Sequence, residues 1–410
     1  VAATVAAAAI VGAPPARASQ VRVEFDDEAA DLVTVAFERG EASPRLVDEI
    51  VRTGGYELMF AHVAASSRRD PEDVRAEFRA ALDSSLAGEE EPGFRLDLVR
   101  TRFGRYRQTL RELRRVSGTL RWKVTDRLNG FLPPMSDISS TAYLVVGGDA
   151  SGLAFGHRDD IALRLDDFVP ASAASDLDTD RLASVLTHEL FHVGFRAAGG
   201  LPPRPARPDE AYGKLVTKYG AEVVGEVWRA SGLRTWDGPG VAARFDAWVP
   251  PAEWDLQALD RFLAMLVRLQ NEGCAVYVDA PLRDPGATRR HAGEVARWME
   301  SIDSDMDYLA MVTTRLSRGA DPLEIAELAV RGFENNGPLY RVGYHMAERI
   351  DTYAGRRPFL ATIRHGALEF FETYFQTHPY GPGQIDSRTE DEIERLIVAV
   401  RTMGEFDPES

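Results

Sequence analysis

One cysteine, Cys274, is all that this chain carries in 410 residues. That excludes an internal disulfide and any zinc or iron–sulfur site built from several thiolates. Lysine is almost as scarce. Only Lys123, Lys214 and Lys218 occur, and the other basic residues are arginines scattered among acids. Lys plus Arg number 48 against 64 Asp plus Glu, a formal net charge of -16, so the chain as a whole lacks the cationic footprint of a nucleic-acid or anionic-lipid binder. No apolar run reaches the roughly 20 residues of a membrane-spanning helix. A P-loop, a dinucleotide fingerprint and internal repeats are also missing. What remains is a soluble globular composition, 44% hydrophobic and 27% charged, in a chain long enough for two or three domains or one large elaborated one.

The first residues form an uncharged apolar run, followed by Pro14-Pro15 and then Ala16-Arg17-Ala18. Run, helix breaker and small-residue pattern stand in the order of a secretory signal, so residues 1–18 read as a signal-peptide remnant cleaved near Ala18. With no cysteine at the processing site, a lipid anchor is not expected. The mature protein is expected to be secreted or periplasmic.

From Val21 to about Thr125 the pattern reads as helical. Residues 27–39, 44–53 and 71–86 are amphipathic, and Asp70-Pro71 is a helix start. Residues 95–122 place arginines on one face, which fits a solvated cationic helix better than a nucleic-acid site in so acidic a chain. Beyond Asn129-Gly130, residues 141–146 and 161–165 read as strands joined as a hairpin by the glycine-rich segment 147–156. Helices return at residues 176–197 and dominate to an acidic tail after Met403. The expected fold is α+β and predominantly helical: a helical N-terminal region, 19–128, then a second domain, 129–405, with a small sheet. A Pro/Gly-rich and tryptophan-rich stretch, about 199–254, reads as an insertion into that domain.

The chemistry concentrates in Thr187-His188-Glu189-Leu190-Phe191-His192, an H-E-x-x-H pattern. Four-residue spacing sets His188 and His192 one turn apart on one helix face, where both imidazoles reach one zinc ion at about 2.0–2.1 Å. Glu189 is rotated off that face, which suits a general base acting on water rather than a ligand. Chance places the pattern in about one such chain in a hundred, and the apolar flanks bury these polar groups, which then need a partner such as a metal. A catalytic zinc needs a third protein ligand and an open position. Phe195 and Ala198 stand where a metzincin has its glycine and third histidine. A second helical run, 254–278, ends in Asn271-Glu272-Gly273-Cys274-Ala275-Val276-Tyr277, where Glu272 sits among apolar residues. By residue type alone Glu272 is either the third ligand or a surface acid, with Glu210 and Glu334 next in line. Cys274 reads as a small buried hydrophobe beside it.

The segment Asn271-Glu272-Gly273-x-Ala275-x-Tyr277 resembles the N-E-G-x-A-x-Y segment of gluzincin aminopeptidases, and Tyr340-x-x-Gly343 is similar to their Y-x-x-G segment. Met346, Ala347, Ile350 and Gly355 follow in a similar helix. The resemblance implies a zincin-like domain over 129–405 with residues 176–197 as its active-site helix, and one Zn²⁺ held by His188, His192 and Glu272, with Glu189 as base and Tyr340 donating to the oxyanion. Tyr344, one turn on, competes for that role. His345 is an alternative as a fourth ligand that would close the site. The chain departs from those enzymes in the 80 positions between His192 and Glu272 (272 − 192), and in lacking their G-x-M-E-N segment, so aminopeptidase specificity is not implied. As a whole it looks more like bacterial exported proteins grouped as zinc-dependent peptidases of unestablished activity. The expectation is a secreted zinc-dependent peptidase acting on a peptide or protein substrate, without nucleic acid or membrane anchor. A strand edge near 155–163 would pair with that substrate. The competing expectation is a non-catalytic secreted binding protein in which zinc braces two helices.

Overall fold

Val21 and Val23 alternate with Arg22 and Glu24, and period two makes residues 21–26 a half-buried strand rather than the start of a helix. The computed structural model describes residues 20–402 apart from 68, 90–92, 135, 149–151, 155–158, 170–176, 200–255, 281–284 and 378–381. Strand β1 (Val21–Asp26) corrects the helical reading of the N-terminal stretch at its very beginning. It pairs in parallel with β2 (Ile138–Val145), from Val21 opposite Ile138 to Asp26 opposite Tyr143. On the other side of β2, β4 (Ile161–Arg164) is also parallel, and β3 (Gly152–Ala154) runs antiparallel to β4 in the sheet order β1-β2-β4-β3.

The two strands expected to form a hairpin are therefore parallel neighbours, and the antiparallel pair is β3–β4. Among the described residues β1 and β3 are the edge strands, and β3 is the one beside β4. Leu163 pairs on both sides and cannot serve as an edge, while 155–158 fall outside the described residues.

Helices cover both faces of this sheet. On one lie α1 (Glu28–Arg39) and α3 (Gly54–Ser67), with α2 (Pro44–Val51) between them in sequence, started by the Ser43 hydroxyl accepting from Leu46 N. A Cβ on Gly54 would meet the Tyr143 ring at 2.7 Å and one on Gly55 would meet Val145 Cγ1 at 2.8 Å, so only glycine lets α3 lie this close. Next, α4 (Pro71–Leu86) begins as expected at Asp70, whose carboxylate accepts from Glu72 N. The long α5 (Leu96–Asn129) leads into β2. On the opposite face lies α6 (Thr179–Gly199), where Gly194 approaches Leu132 and Ile138. Ile138 differs in parity from Tyr143 and Val145, which places α6 across the sheet from α3.

The remainder is helical: α7 (Leu256–Asp279), α8 (Pro285–Ser317), α9 (Pro322–Phe333) and α10 (Pro338–Arg349), then a π turn (Ile350–Ala354), α11 (Arg356–His365), α12 (Ala367–Gln376) and α13 (Ser387–Thr402). Buried apolar side chains form one cluster from Val21 of β1 to Ile393 of α13. The fold is α+β and predominantly helical, as expected. Among the described residues no helix is long and apolar enough to cross a membrane. The expected signal segment 1–18, nearly all of the expected insertion 199–254 and the acidic tail lie outside the described residues.

Candidate metal centre

Three helices build the site. Leu182, Ala183, Leu186, Leu190, Phe191 and Val193 bury α6 along its length, which leaves His188 and Glu189 half-buried and His192 buried at its middle. Helix α7 packs against α6, and the Ser184 hydroxyl donates to the Asp279 carbonyl at 3.1 Å. Helix α10 crosses α7 at Gly273 and Gly343. A Cβ on Gly273 would lie 2.1 Å from the Gly343 carbonyl carbon, and one on Gly343 would lie 2.3 Å from the Leu269 oxygen. Glycine is required here because backbone meets backbone, and the crossing sets Glu272 beside Tyr340. Arg341 fixes the first turn of α10 with two hydrogen bonds, 2.7 and 2.6 Å, to the buried Asp305 of α8.

The sequence-predicted ligands converge. His188 Nε2 and His192 Nε2 are 3.1 Å apart, and Glu272 Oε2 lies 3.7 and 3.4 Å from them. Each imidazole is held from behind by its other nitrogen: His188 Nδ1 donates to Asp279 Oδ2 at 2.9 Å and His192 Nδ1 to Asn271 Oδ1 at 3.0 Å. With Nδ1 donating, both Nε2 atoms face one point, where a cation would take their lone pairs in place of a proton. A tetrahedral zinc with bonds of about 2.0–2.1 Å sets its ligand atoms about 3.3–3.4 Å apart, and the three observed separations bracket that value. Two imidazoles and one carboxylate are also the donor set of a catalytic zinc, with a fourth position left for water or substrate. Side-chain exposures of 17, 11 and 16% for His188, His192 and Glu272 leave the triad reachable from solvent. The residues present fit one zinc ion.

Electrostatics agree. Burial by itself opposes a charged His188, but Asp279 and Glu272 outweigh it and raise its pKa well above the ordinary value. Burial likewise opposes a charged Glu272, and His188, His192 and Tyr340 together pull its pKa far below the carboxylate range. Negative charge is thus concentrated where a divalent cation would sit. Glu189 does not join the ligand triad. Its charge is felt by His188, Tyr340, His62 of α3 and Arg196 two turns farther along α6.

A family model described as "Putative zinc dependent peptidase (DUF5700)" matches residues 47–198 and 251–377, well over half of the chain. The chain belongs to that family. The residues matched to this family include His188, Glu189, His192, Glu272 and Tyr340, together with Asn271 and Asp279 behind the histidines. Neither the curated proteins nor the solved structures gave a match.

The other candidates separate cleanly. The Tyr340 hydroxyl donates to Glu272 Oε2 at 2.6 Å, so this tyrosine stands at the triad. Burial and the Glu272 charge push its pKa up, which keeps its proton on the oxygen. The Tyr344 hydroxyl instead lies 3.4 Å from Glu348. His345 stands outside the triad as well, buried against Gly383 with neither ring nitrogen hydrogen-bonded, which removes it as a fourth ligand. Glu334 is an exposed residue at the end of α9, and Glu210 falls outside the described residues. Cys274 is buried, as expected. Sequence reasoning missed Asp279. Asp279 lies seven residues after Glu272, two turns along the same face of α7, and that spacing was the available signal.

Proposed function

We propose that this chain is an exported zinc peptidase of the His/His/Glu, gluzincin kind, with His188, His192 and Glu272 as ligands of one zinc ion. The observation that carries the reading is the convergence of two Nε2 atoms and one Oε2 within 3.7 Å of one another, each imidazole steadied from behind. Zinc bound there would supply Lewis acidity toward a substrate carbonyl and toward water.

The remaining work falls to the chain itself. The Glu189 carboxylate, next to the first ligand and outside the triad, takes a proton from the attacking water on an Oε and returns it to the leaving amine. Tyr340, a donor at the edge of the triad, turns its O–H from Glu272 to the oxyanion of the substrate. The outer edge of β3, which packs beside α6, offers backbone groups to an extended peptide, and strand addition needs no particular side chain. The Ala16-Arg17-Ala18 pattern supports export before action.

Glu189→Gln tests the proposal. It preserves shape and removes the base, so zinc content should stay at the wild-type level while hydrolysis of a quenched-fluorescent peptide library falls by about 10²–10⁴-fold. Turnover unchanged in a zinc-loaded Glu189→Gln protein would refute the mechanism. A wild type that binds zinc and cleaves nothing in such a library would favour the zinc-braced binding protein.

A further inference from the structure

The end of α7 carries a feature the catalytic reading does not use. A helix leaves its last carbonyls without intrahelical partners, and Pro281 follows shortly after this end. Here three consecutive carbonyls are taken by side chains from two other helices. Val278 O accepts from Arg127 Nε at 2.7 Å, Asp279 O accepts from Ser184 at 3.1 Å, and Ala280 O accepts from Arg127 Nη2 at 3.0 Å. One guanidinium therefore straddles the residue that holds His188 Nδ1 at 2.9 Å.

Arg127 is itself restrained. Its guanidinium lies 4.6 Å from the centre of the Phe131 ring, which also carries Arg356 at 3.6 Å. Arg356 donates twice to Asp351, at 2.7 and 2.6 Å, and once to Gly130 O at 2.5 Å. Asp351 accepts from the Tyr277 hydroxyl at 2.6 Å, which closes the chain of contacts back onto α7 two residues before Asp279. Arg127 thus sits at the negative end of the α7 dipole, gripping backbone rather than any ligand.

We infer that Arg127 is a positioning residue for the zinc site, through which α5 sets Asp279 and hence the orientation of His188. The inference rests on the zinc reading of the triad and is independent of whether the protein is a peptidase. Partners that orient a ligating histidine typically govern metal affinity by 10–100-fold. A grip on the two carbonyls flanking Asp279 should be worth much of that factor.

The test is a zinc dissociation constant for the full chain, measured by competition with a chromophoric chelator, in wild type, Arg127→Met, Asp279→Asn and the double variant. Visible absorption of the Co²⁺-loaded proteins reads the ligand geometry alongside. Arg127→Met should weaken zinc by about 10–100-fold and shift the cobalt bands. In the Asp279→Asn background the same change should cost little more, because both act through one bond. Arg127→Lys, which keeps the charge but cannot span two carbonyls, should still weaken zinc by about 10-fold, and it serves if the Met variant does not fold. Wild-type affinity and cobalt spectrum in either folded Arg127 variant would overturn the inference. So would Arg127→Met and Asp279→Asn effects that simply multiply, the mark of a separate structural role. A wild type that binds no zinc would overturn the zinc reading first.

Discussion

Replacing Gly343 by alanine should break the helix crossing on which the site depends. A Cβ there would lie 2.3 Å from the Leu269 oxygen and 3.0 Å from the Gly273 Cα. Ordinary contact between carbon atoms begins near ~3.5 Å, so α10 has to retreat from α7 by about 1 Å. Both obstacles are backbone, and no rotamer change relieves them. Gly118→Ala is the matched control, since this glycine lies within α5 with nothing within 4 Å of its ideal Cβ. Each substitution gains the helix propensity of alanine, about 1 kcal/mol. The difference between the two variants therefore isolates the steric cost, about 1–3 kcal/mol by the usual penalty of overpacking, toward the upper end for backbone obstacles. Urea unfolding should find Gly118→Ala more stable than wild type and Gly343→Ala less stable. Tyr340 stands one turn before Gly343, so a 1 Å retreat also stretches its 2.6 Å bond to Glu272, and turnover should fall by about 10²-fold. A Gly343→Ala protein as stable as Gly118→Ala would refute the close crossing and the placement of Tyr340 derived from it.

Tyr340→Phe removes one hydroxyl and keeps the ring that packs edge-on against Phe333 at 5.7 Å. Zinc content should hold while turnover drops by about 10²–10³-fold, and an unchanged rate would remove Tyr340 from the mechanism. His345 makes the fold sensitive to acid. Burial, then Arg349, hold its pKa down to about 4 against the pull of Asp303, whereas the unfolded chain titrates near 6.5. The unfolded state therefore binds more protons as the pH falls from 6.5 to about 4. Over that window His345 alone should cost about 3 kcal/mol of stability, with little further loss below. Urea unfolding of wild type and His345→Leu from pH 7 to 4 checks this, and parallel stability curves would dismiss the effect.

The two histidines of the candidate site were legible because H-E-x-x-H fixes geometry within one helix: spacing of four residues is one turn, whatever the rest of the chain does. Glu272 needed a second helix and became legible only through a longer motif, in which Gly273 marks the backbone contact with Gly343. Helix α4 was read to its terminal residues because Asp70-Pro71 supplies a cap and a fixed first turn together. The sheet was harder. The alternation of β1 was visible in Val21 and Val23, but six residues beside a long helical stretch were absorbed into it. Parallel pairing of β2 with β4 leaves no local trace, because residues such as Leu144 and Leu163 are buried whichever way the neighbouring strand runs. The three residues of β3 are too few to show a period at all. Arg127, ordinary in a helix of many arginines, gains its meaning only from where α7 ends.

The account rests most heavily on three side chains from two helices sharing one ion. Zinc bound per chain, measured by elemental analysis of Glu272→Ala and wild type after dialysis against the same low free zinc, tests it directly. Wild type should retain one zinc per chain and the variant should lose it, because two histidines alone leave the ion without the carboxylate that lies 3.4 and 3.7 Å from their Nε2 atoms. Retention of one zinc per chain at undiminished affinity in Glu272→Ala would contradict the ligand set.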